Sequence, residues 1–500
     1  MPSDSKRTVV SLFSGAGGFD WGFHKAGYET RLAVEILPQA AKTLAHNLAL
    51  PIIPVSAEEG AVLAVKSDDL PAVVQGDIRK INFSDLSGTE VDVLIGGPPC
   101  QDFSMTKGNK REGENGTRGK LYQHFLRALM FIQPKAFIFE NVPGFISANN
   151  GKPYKAVLSD VADLDELRLN PPKDTQYGFA VPSEKITGYK IVFNGIVDAP
   201  YFGVPQTRRR LIIIGIRSDL ANNPNLRCAV DGLSRVMSGD CWPFKKFPLT
   251  AIEVFEGKPL TELSDIYKSV MQAYRPLAEQ APWAGARAWQ SRTWDKLRFD
   301  IVEDYYTANG LDYTSHDQAL FDGAMQHHKD ILEKLGWLNN PVRNLSMSDN
   351  MNKLITQSKS VMERMENIPP GENAAFVDGT PWKVAHKEIS FIYRRPQPLK
   401  PAWTVMAYGG GGTYGYHYER SRSILTLRER ARIQTFSDDF IFQGKDIRAQ
   451  IGEAVPPLLA QRTAEAIDDL LGALELPSSM GKLYSISLFS QPSQLSLMNV

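Results

Sequence analysis

The stretch Val91-Asp92-Val93-Leu94-Ile95-Gly96-Gly97-Pro98-Pro99-Cys100-Gln101 constrains the fold of this chain more than any other. Val91, Val93 and Ile95 alternate with a period of two, which reads as a buried strand, and Gly96-Gly97-Pro98-Pro99 ends it abruptly. Two prolines in succession cannot donate to a ladder, and they hold the backbone extended. Cys100 is therefore offered by a stiff turn at the carboxyl end of a strand, where open α/β sheets bind their ligands. A solitary cysteine is more often a small buried hydrophobe. Position and flanks make this one a candidate nucleophile.

A chain of 500 residues has room for two or more domains. Its three cysteines (Cys100, Cys228, Cys241) are far apart and show no CxxC spacing, which excludes a disulfide framework and a structural zinc site and fits a reducing compartment. The opening Met-Pro-Ser-Asp-Ser-Lys-Arg runs straight into a strand, so no secretory signal is expected, and no apolar run reaches membrane-spanning length. A cytoplasmic location with no membrane partner follows as an expectation. Net charge is zero, but distribution matters more than the sum. Arginines gather at 208–210, at 394–395, and at Arg420, Arg422, Arg428, Arg430 and Arg432. Such clusters suit phosphate contacts and solvated faces equally.

The chain opens with a strand, Thr8 to Phe13, closed by Ser14-Gly15-Ala16-Gly17-Gly18 and followed by a helix from Phe19 to Ala26. Strand, glycine turn and helix begin a nucleotide-binding α/β unit. Glu35 ends a second strand, where a carboxylate grips ribose hydroxyls, and Asp77 follows a third, within reach of an adenine amino group. Residues 101–120, rich in glycine and basic side chains, have the composition of a lid carrying phosphate contacts. A helix from Leu121 to Phe131 leads to a fifth strand, Ala136 to Phe139, which ends in Glu140-Asn141-Val142. Strands are also expected at 189–193 and 210–216, with Gln206, Arg208 and Arg210 sharing one side at a strand's period.

Phe13-Ser14-Gly15-Ala16-Gly17-Gly18, Pro98-Pro99-Cys100-Gln101, Glu140-Asn141-Val142 and Gln206-Thr207-Arg208-Arg209-Arg210, in that order, closely resemble the DNA cytosine-5 methyltransferases. Leu425 to Phe436 is similar to that family's ninth block and Gln450 to Pro457 to its tenth, except that Glu453 stands where the family usually has asparagine. The resemblance implies a Rossmann-like α/β methyltransferase fold, with a mixed sheet carrying helices on both faces and a smaller, mixed target-recognition domain. It implies a catalytic and cofactor-binding domain over 1–217, the recognition domain over 218–424, C-terminal blocks over 425–475 that return to the catalytic domain, and a disordered tail over 476–500. Leu458 to Leu474, periodic as a helix, is expected to pack beside the first strand.

The same resemblance assigns roles. Cys100 adds to carbon 6 of a flipped-out cytosine, Glu140 donates to ring nitrogen 3, Arg210 contacts the carbonyl oxygen, and Arg208 orients it. S-adenosylmethionine is the implied methyl donor, held by Phe13, Gly15, Ala16, Gly17, Gly18, Glu35, Ile36, Asp77, Ile78, Pro99, Leu121 and Val455; no metal is called for. Gln101, Ser104, Arg118 and Gln206 are the implied DNA contacts. The expected partner is double-stranded DNA, read by a monomer of the bacterial modification type, with a cognate restriction endonuclease acting on the same site. The pair His327-His328 has no further ligand at metal spacing and is expected on a surface helix.

Three other readings explain less. Relatives that methylate tRNA cytosine carry Cys-Phe-Thr and a short recognition region, and neither occurs here. Non-catalytic DNA-binding regulators usually lack the equivalents of Cys100 or Glu140. A nicotinamide-dependent dehydrogenase would share the glycine turn and leave Pro98-Pro99-Cys100 without a purpose.

Overall fold

The computed structural model describes residues 6–56, 58, 61–99, 121–171, 181–346, 349–384, 392–408, 411–413 and 415–476. Cys100, Gln101, Ser104, Arg118 and the expected lid and tail lie outside the described residues.

The chain begins β1 (Thr8–Leu12), α1 (Gly18–Lys25), β2 (Glu29–Glu35), α2 (Pro38–Leu48), β3 (Ile52–Pro54), β4 (Ala72–Gln75), β5 (Val93–Gly96). It continues with α3 (Tyr122–Ile132), β6 (Ala136–Asn141), β7 (Tyr189–Asp198), β8 (Gln206–Thr207) and β9 (Arg209–Arg217). The main sheet has eight strands among the described residues, in the order β3-β4-β2-β1-β5-β6-β9-β7. From β3 to β6 every pair is parallel, whereas β9 runs antiparallel to both of its neighbours.

The strand sequences are nearly continuous runs of apolar residues because both faces are covered. Val9, Val93, Ile95, Ile138, Ile212 and Ile214 point to one face, against Phe19 and Phe23 of α1. Val10, Leu94, Phe137, Phe139, Leu211 and Ile213 point to the other, against Phe125 and Leu129 of α3. Alternation along each strand decides the face, and the expected α/β architecture with helices on both sides is what results.

Beyond β9, α4 (Leu226–Met237) packs beside the C-terminal helix, so chain past residue 217 still belongs to the helical layer on the sheet. From there to residue 424 the described chain is chiefly helical, including the long α5 (Gln318–Lys334), with strand only at β10 (Ala402–Trp403) and one bridge between Tyr416 and Ile424. The expected mixture is thus weighted to helix. Trp289, Trp337, Tyr267, Tyr274 and Tyr305 are all fully buried, so the aromatics of this region form a core between helices. β10 pairs in parallel with β8, which fastens the end of the region to the arginine-bearing segment.

His328 corrects the surface expectation. It is fully buried on the inner face of α5, with Nδ1 2.8 Å from Glu253 Oε1 and Nε2 3.0 Å from the Phe247 carbonyl oxygen. Phe321, Ala324, Met325, Ile331 and Leu332 define that face, and His328 falls at their spacing.

The chain closes with α6 (Leu427–Ile433), α7 (Ile447–Glu453) and α8 (Pro457–Glu475). The last helix lies along α1, the helix that follows the first strand, and Gly22 allows the close approach: a Cβ there would stand 2.4 Å from Ala460 Cβ. Arg7, at the entrance to β1, ties the far end of α8 through Glu475 at 3.0 Å. No described helix is long and apolar enough to cross a membrane.

Candidate active site

Strand register gathers the motif residues at one edge. Leu12 pairs with Val34 and with Gly96, Glu35 with Gln75, and Gly96 with Phe139. Phe13 to Gly18, Glu35, the Gly97-Pro98-Pro99 turn and Glu140 therefore leave the sheet side by side. β9 is antiparallel, so its beginning, not its end, reaches the same edge and brings Arg208 to Arg210 with it.

Ile212 stands opposite Glu140, and Arg210 shares its face two residues earlier, so the guanidinium reaches the carboxylate diagonally. Arg210 Nε lies 2.8 Å from Glu140 Oε1, and both side chains are largely buried. Burial pushes the Glu140 carboxyl above the ordinary range, against the opposing pull of Arg210 and Arg208. Gly97 makes the space: a Cβ on it would meet Glu140 Oε2 at 2.7 Å. Next door, Asn141 Nδ2 donates to the Pro98 carbonyl at 3.1 Å and fixes the turn that leads to Cys100. The arrangement holds a buried carboxyl whose protonated form is favoured by burial beside a cation, at the end of the strand next to the one that leads to Gly97-Pro98-Pro99.

Arg208 is almost completely buried and donates to the carbonyl oxygens of Gly452 at 3.1 Å and Ala454 at 2.9 Å. It orients the C-terminal turn rather than touching open space. Gln206, expected at DNA, has no exposure. Its Nε2 donates to the Ile433 carbonyl at 3.1 Å and its Oε1 accepts from Val405 N at 3.1 Å, so its hydrogen-bonding capacity is spent on packing β8 against α6 and β10. The predicted alternation is present, since Thr207 and Arg209 are exposed between these buried neighbours. The inward side is simply more enclosed than a DNA contact requires.

The glycine loop forms the second half of the site. Gly15 and Gly17 both have positive φ, at 57° and 88°, and a Cβ on Gly15 would touch nothing within 4 Å, leaving open space beside the backbone. Gly18 is packed instead against Val455, whose carbonyl oxygen would stand 2.4 Å from a Cβ. Glu35 accepts from Gly15 N and from Leu37 N, each at 2.7 Å, and burial raises its pKa. Each carboxylate oxygen keeps a lone pair for a ribose hydroxyl. Ile36 and Leu37 are 56% and 48% exposed beside it, an apolar lip of the kind a flat purine covers. Open backbone, carboxylate and apolar lip fit a nucleoside-bearing methyl donor such as S-adenosylmethionine.

Asp77 does not stand free for an adenine. Its Oδ2 lies 2.9 Å from Arg79 Nε and its Oδ1 caps the following turn at Arg79 N, which draws its pKa down against the effect of burial. Ile78 is buried and its carbonyl is held by Arg127 at 2.8 Å. Ala16 is buried within the loop and Leu121 leads into α3, while Phe13 adopts positive φ at 57° as the chain turns off β1.

Several contributors carried no sequence signal. Asp20, on α1 below the loop, is fully buried, with its pKa pushed up to about 7 chiefly by burial, in spite of the nearby Ser11 hydroxyl. Asn141 was visible only as part of a motif. Four of the late arginines do not face solvent. Arg395, Arg428, Arg430 and Arg432 are buried, and they donate to main-chain oxygens: Arg395 to Ile368 at 2.7 Å, Arg428 to Ser437 at 3.2 Å, Arg432 to Val254 at 2.9 Å. Among the described residues no group of three or more His, Cys, Asp or Glu side chains is placed to hold a metal.

The family model for C-5 cytosine-specific DNA methylases matches residues 7–167 and 180–469. The chain is 47% identical over 484 residues to the DNA (cytosine-5-)-methyltransferase M.ApeKI of Aeropyrum pernix, covering 94% of this chain and 100% of that protein. It is 28% identical over 467 residues to the type II methyltransferase M.NgoFVII of Neisseria gonorrhoeae, covering 93% of this chain and 87% of that one. Among solved structures, a candidate DNA modification methyltransferase encoded within an E. coli prophage superposes with a TM-score of 0.51 at 21% identity, covering 93% of this chain and 100% of that one, which is a likeness of fold.

Proposed function

The chain belongs to the family of C-5 cytosine-specific DNA methylases, and from that premise we propose that Cys100, Glu140, Arg208 and Arg210 carry out its reaction at one short DNA sequence. The enzyme is a sequence-specific DNA cytosine-5 methyltransferase. The observation that carries the assignment of roles is the Arg210–Glu140 contact of 2.8 Å, next to the turn that delivers Cys100.

Carbon 5 of cytosine is a poor nucleophile until the ring gains electrons. The Cys100 thiolate bonds to carbon 6, and the π pair of the 5,6 bond moves toward carbon 5 and ring nitrogen 3. Glu140, whose affinity for a proton burial raises, donates that proton to nitrogen 3 and accepts from the exocyclic amine. Arg210 steadies the charge that develops on the carbonyl oxygen. S-adenosylmethionine, when bound in the glycine loop, supplies the methyl as an electrophile on a sulfonium sulfur. The carbon 5 proton then passes to water and its bonding pair re-forms the 5,6 double bond, while the carbon–sulfur pair leaves with Cys100 as thiolate and Glu140 takes back the proton on nitrogen 3. Arg208 acts on this machinery through the 452–454 turn that it grips.

Phe13, Gly15 to Gly18, Glu35 to Leu37, Ile78 and Val455 form the cofactor pocket in this reading, with Pro99 and Leu121 at its margin. Residues 218–424 read the target, apart from α4, which sits with the catalytic layer. Gln101, Ser104 and Arg118 contact the DNA around the extruded base, whose removal from the stack the chemistry demands. The protein acts as a monomer, and its methylation shields host DNA from a restriction enzyme of the same specificity.

Bisulfite sequencing of plasmid from expressing cells, beside a Cys100→Ala control, tests the reading. Protection of cytosines in one recurring short sequence, lost in the control, is the expected result. Equal protection in the control removes Cys100 from the mechanism, and no protection in either removes the DNA-modifying role.

A further inference from the structure

The segment from Ala402 to Ala407 runs from the arginine-bearing chain to the turn after α7. At its start β10 pairs with β8, Ala402 opposite Gln206 and Trp403 opposite Thr207. Thr404 Oγ1 donates to the Thr207 carbonyl, and Val405 N donates to Gln206 Oε1 at 3.1 Å. At its end Ala407 lies so close to Gly452 that a Cβ there would have no room. The backbone is therefore tied down on both sides. Alternation turns Ala402 inward with Gln206, and Trp403 outward with Thr207.

Of the chain's eight tryptophans Trp403 alone is exposed, at 40%. The guanidinium of Arg394 lies over its ring, 4.6 Å from the centre. Arg209, outward at a strand's period from Thr207, brings a second cation to this side, with Asp198 3.4 Å away as its counter-ion. Arg395, next in the chain, is instead spent on main-chain oxygens.

A large ring held in water by a fixed backbone has little freedom left to lose and gains burial when something covers it. An arginine stacked on such a ring is already oriented, so pairing with phosphate costs it little entropy. Duplex DNA carries one negative charge per roughly 1.7 Å of its axis. A duplex whose cytosine reaches Glu140 and Arg210 brings phosphates past β10 as well, which is only one strand spacing, about 4.8 Å, from β8. We propose that Trp403, Arg394 and Arg209 form a second DNA contact beside the reaction site. The indole packs on a deoxyribose near the extruded cytosine, and the two arginines pair with the phosphates that flank this sugar. The contact positions the duplex without reading its sequence. The inference rests on the reading of the site as one that receives duplex DNA.

Binding of the full chain to two labelled duplexes, one with the methylated sequence and one without it, tests the proposal. Trp403→Ala should bind both about fivefold or more weakly, and to the same extent, whereas Trp403→Phe keeps a flat ring and most of the affinity. Arg209→Gln and Arg394→Gln should each flatten the dependence of log affinity on log salt by about one, and Trp403→Ala should leave it unchanged. Unchanged thermal melting will show that the variants fold. Tryptophan emission of the wild type should change on adding either duplex, and that change should vanish in Trp403→Phe. Full affinity in Trp403→Ala overturns the proposal, as does a loss confined to the methylated sequence, which would make the residue a reader of bases. An emission change that persists in Trp403→Phe overturns it too. Wild-type protein that binds neither duplex overturns the DNA-modifying role itself, a result distinct from the others.

Discussion

Arg210 and Glu140 meet at 2.8 Å across antiparallel strands, a diagonal pair whose partners the chain supplies from two separate motifs. The pairing sets the acidity of the group on which proton donation depends. Burial raises the Glu140 pKa and Arg210 restrains the rise. Replacing Arg210 by alanine should lower turnover on the order of a hundredfold, because a donor to developing charge is lost. It should also let Glu140 keep its proton to higher pH, moving the alkaline fall of the single-turnover rate upward. A pH–rate profile of Arg210→Ala against wild type measures both effects.

Gly97 faces Glu140 with no room for a side chain, since a Cβ would stand 2.7 Å from Oε2. In Gly97→Ala the carboxyl must turn away, and a displacement of this size costs roughly a hundredfold in rate. The melting temperature should move little, because the clash falls on a side-chain end. Turnover and thermal denaturation of the same preparation separate the two.

Asp20 titrates near pH 7 in the folded chain, against an ordinary value of 3.8. The folded state therefore binds this proton more tightly than the unfolded state does. Stability is lowest above pH 7, where the buried group is charged, and recovers as pH falls from 7 toward 4. Asp20→Asn should abolish that portion of the slope and raise stability at pH 8 by about 1–3 kcal/mol, less than the full shift because the amide also needs partners. Denaturant titrations at pH 8 and pH 5 read the difference.

Arg395 is fully buried and donates to the carbonyl oxygens of Ile368 at 2.7 Å and Arg422 at 3.1 Å. Arg395→Met leaves those oxygens unpaired and should destabilise the protein by about 3 kcal/mol or more. A phosphate contact would behave differently, changing the dependence of DNA affinity on salt. Here the slope of binding against salt concentration should match that of the wild type.

Much of the site was legible because its residues sit at ends of strands. Apolar runs marked β1, β2, β4, β5 and β6, and glycine, proline or acid marked where each stops, so the gathering of Phe13, Glu35, Pro98 and Glu140 at one edge follows from parallel pairing. The period of two through Gln206, Arg208 and Arg210 was equally visible. Its depth was not. Residue type suggests exposure for glutamine and arginine, but partners from distant segments decide it: Val405 and Ile433 for Gln206, Gly452 and Ala454 for Arg208. His328 was misplaced and Asp20 passed over for the same reason, since a polar residue at a buried helical spacing looks like an interruption of the apolar face until its surroundings are known. The recognition region gave least, because its aromatics have no strand or helix period strong enough to say what they pack against.

The grip of Arg208 on the turn after α7 has a consequence for how this protein is made. Its guanidinium is buried against oxygens that belong to residues 452–454, so during synthesis these acceptors are missing until that late segment has left the ribosome. The strand that carries Arg210 can already pair on both of its edges, but the loop that rests on Ala454 and Val455 still lacks its wall. A chain that ends before residue 452 lacks one wall of its glycine loop even with every catalytic side chain already made. The last segment to be made thus completes the pocket that the first segment begins.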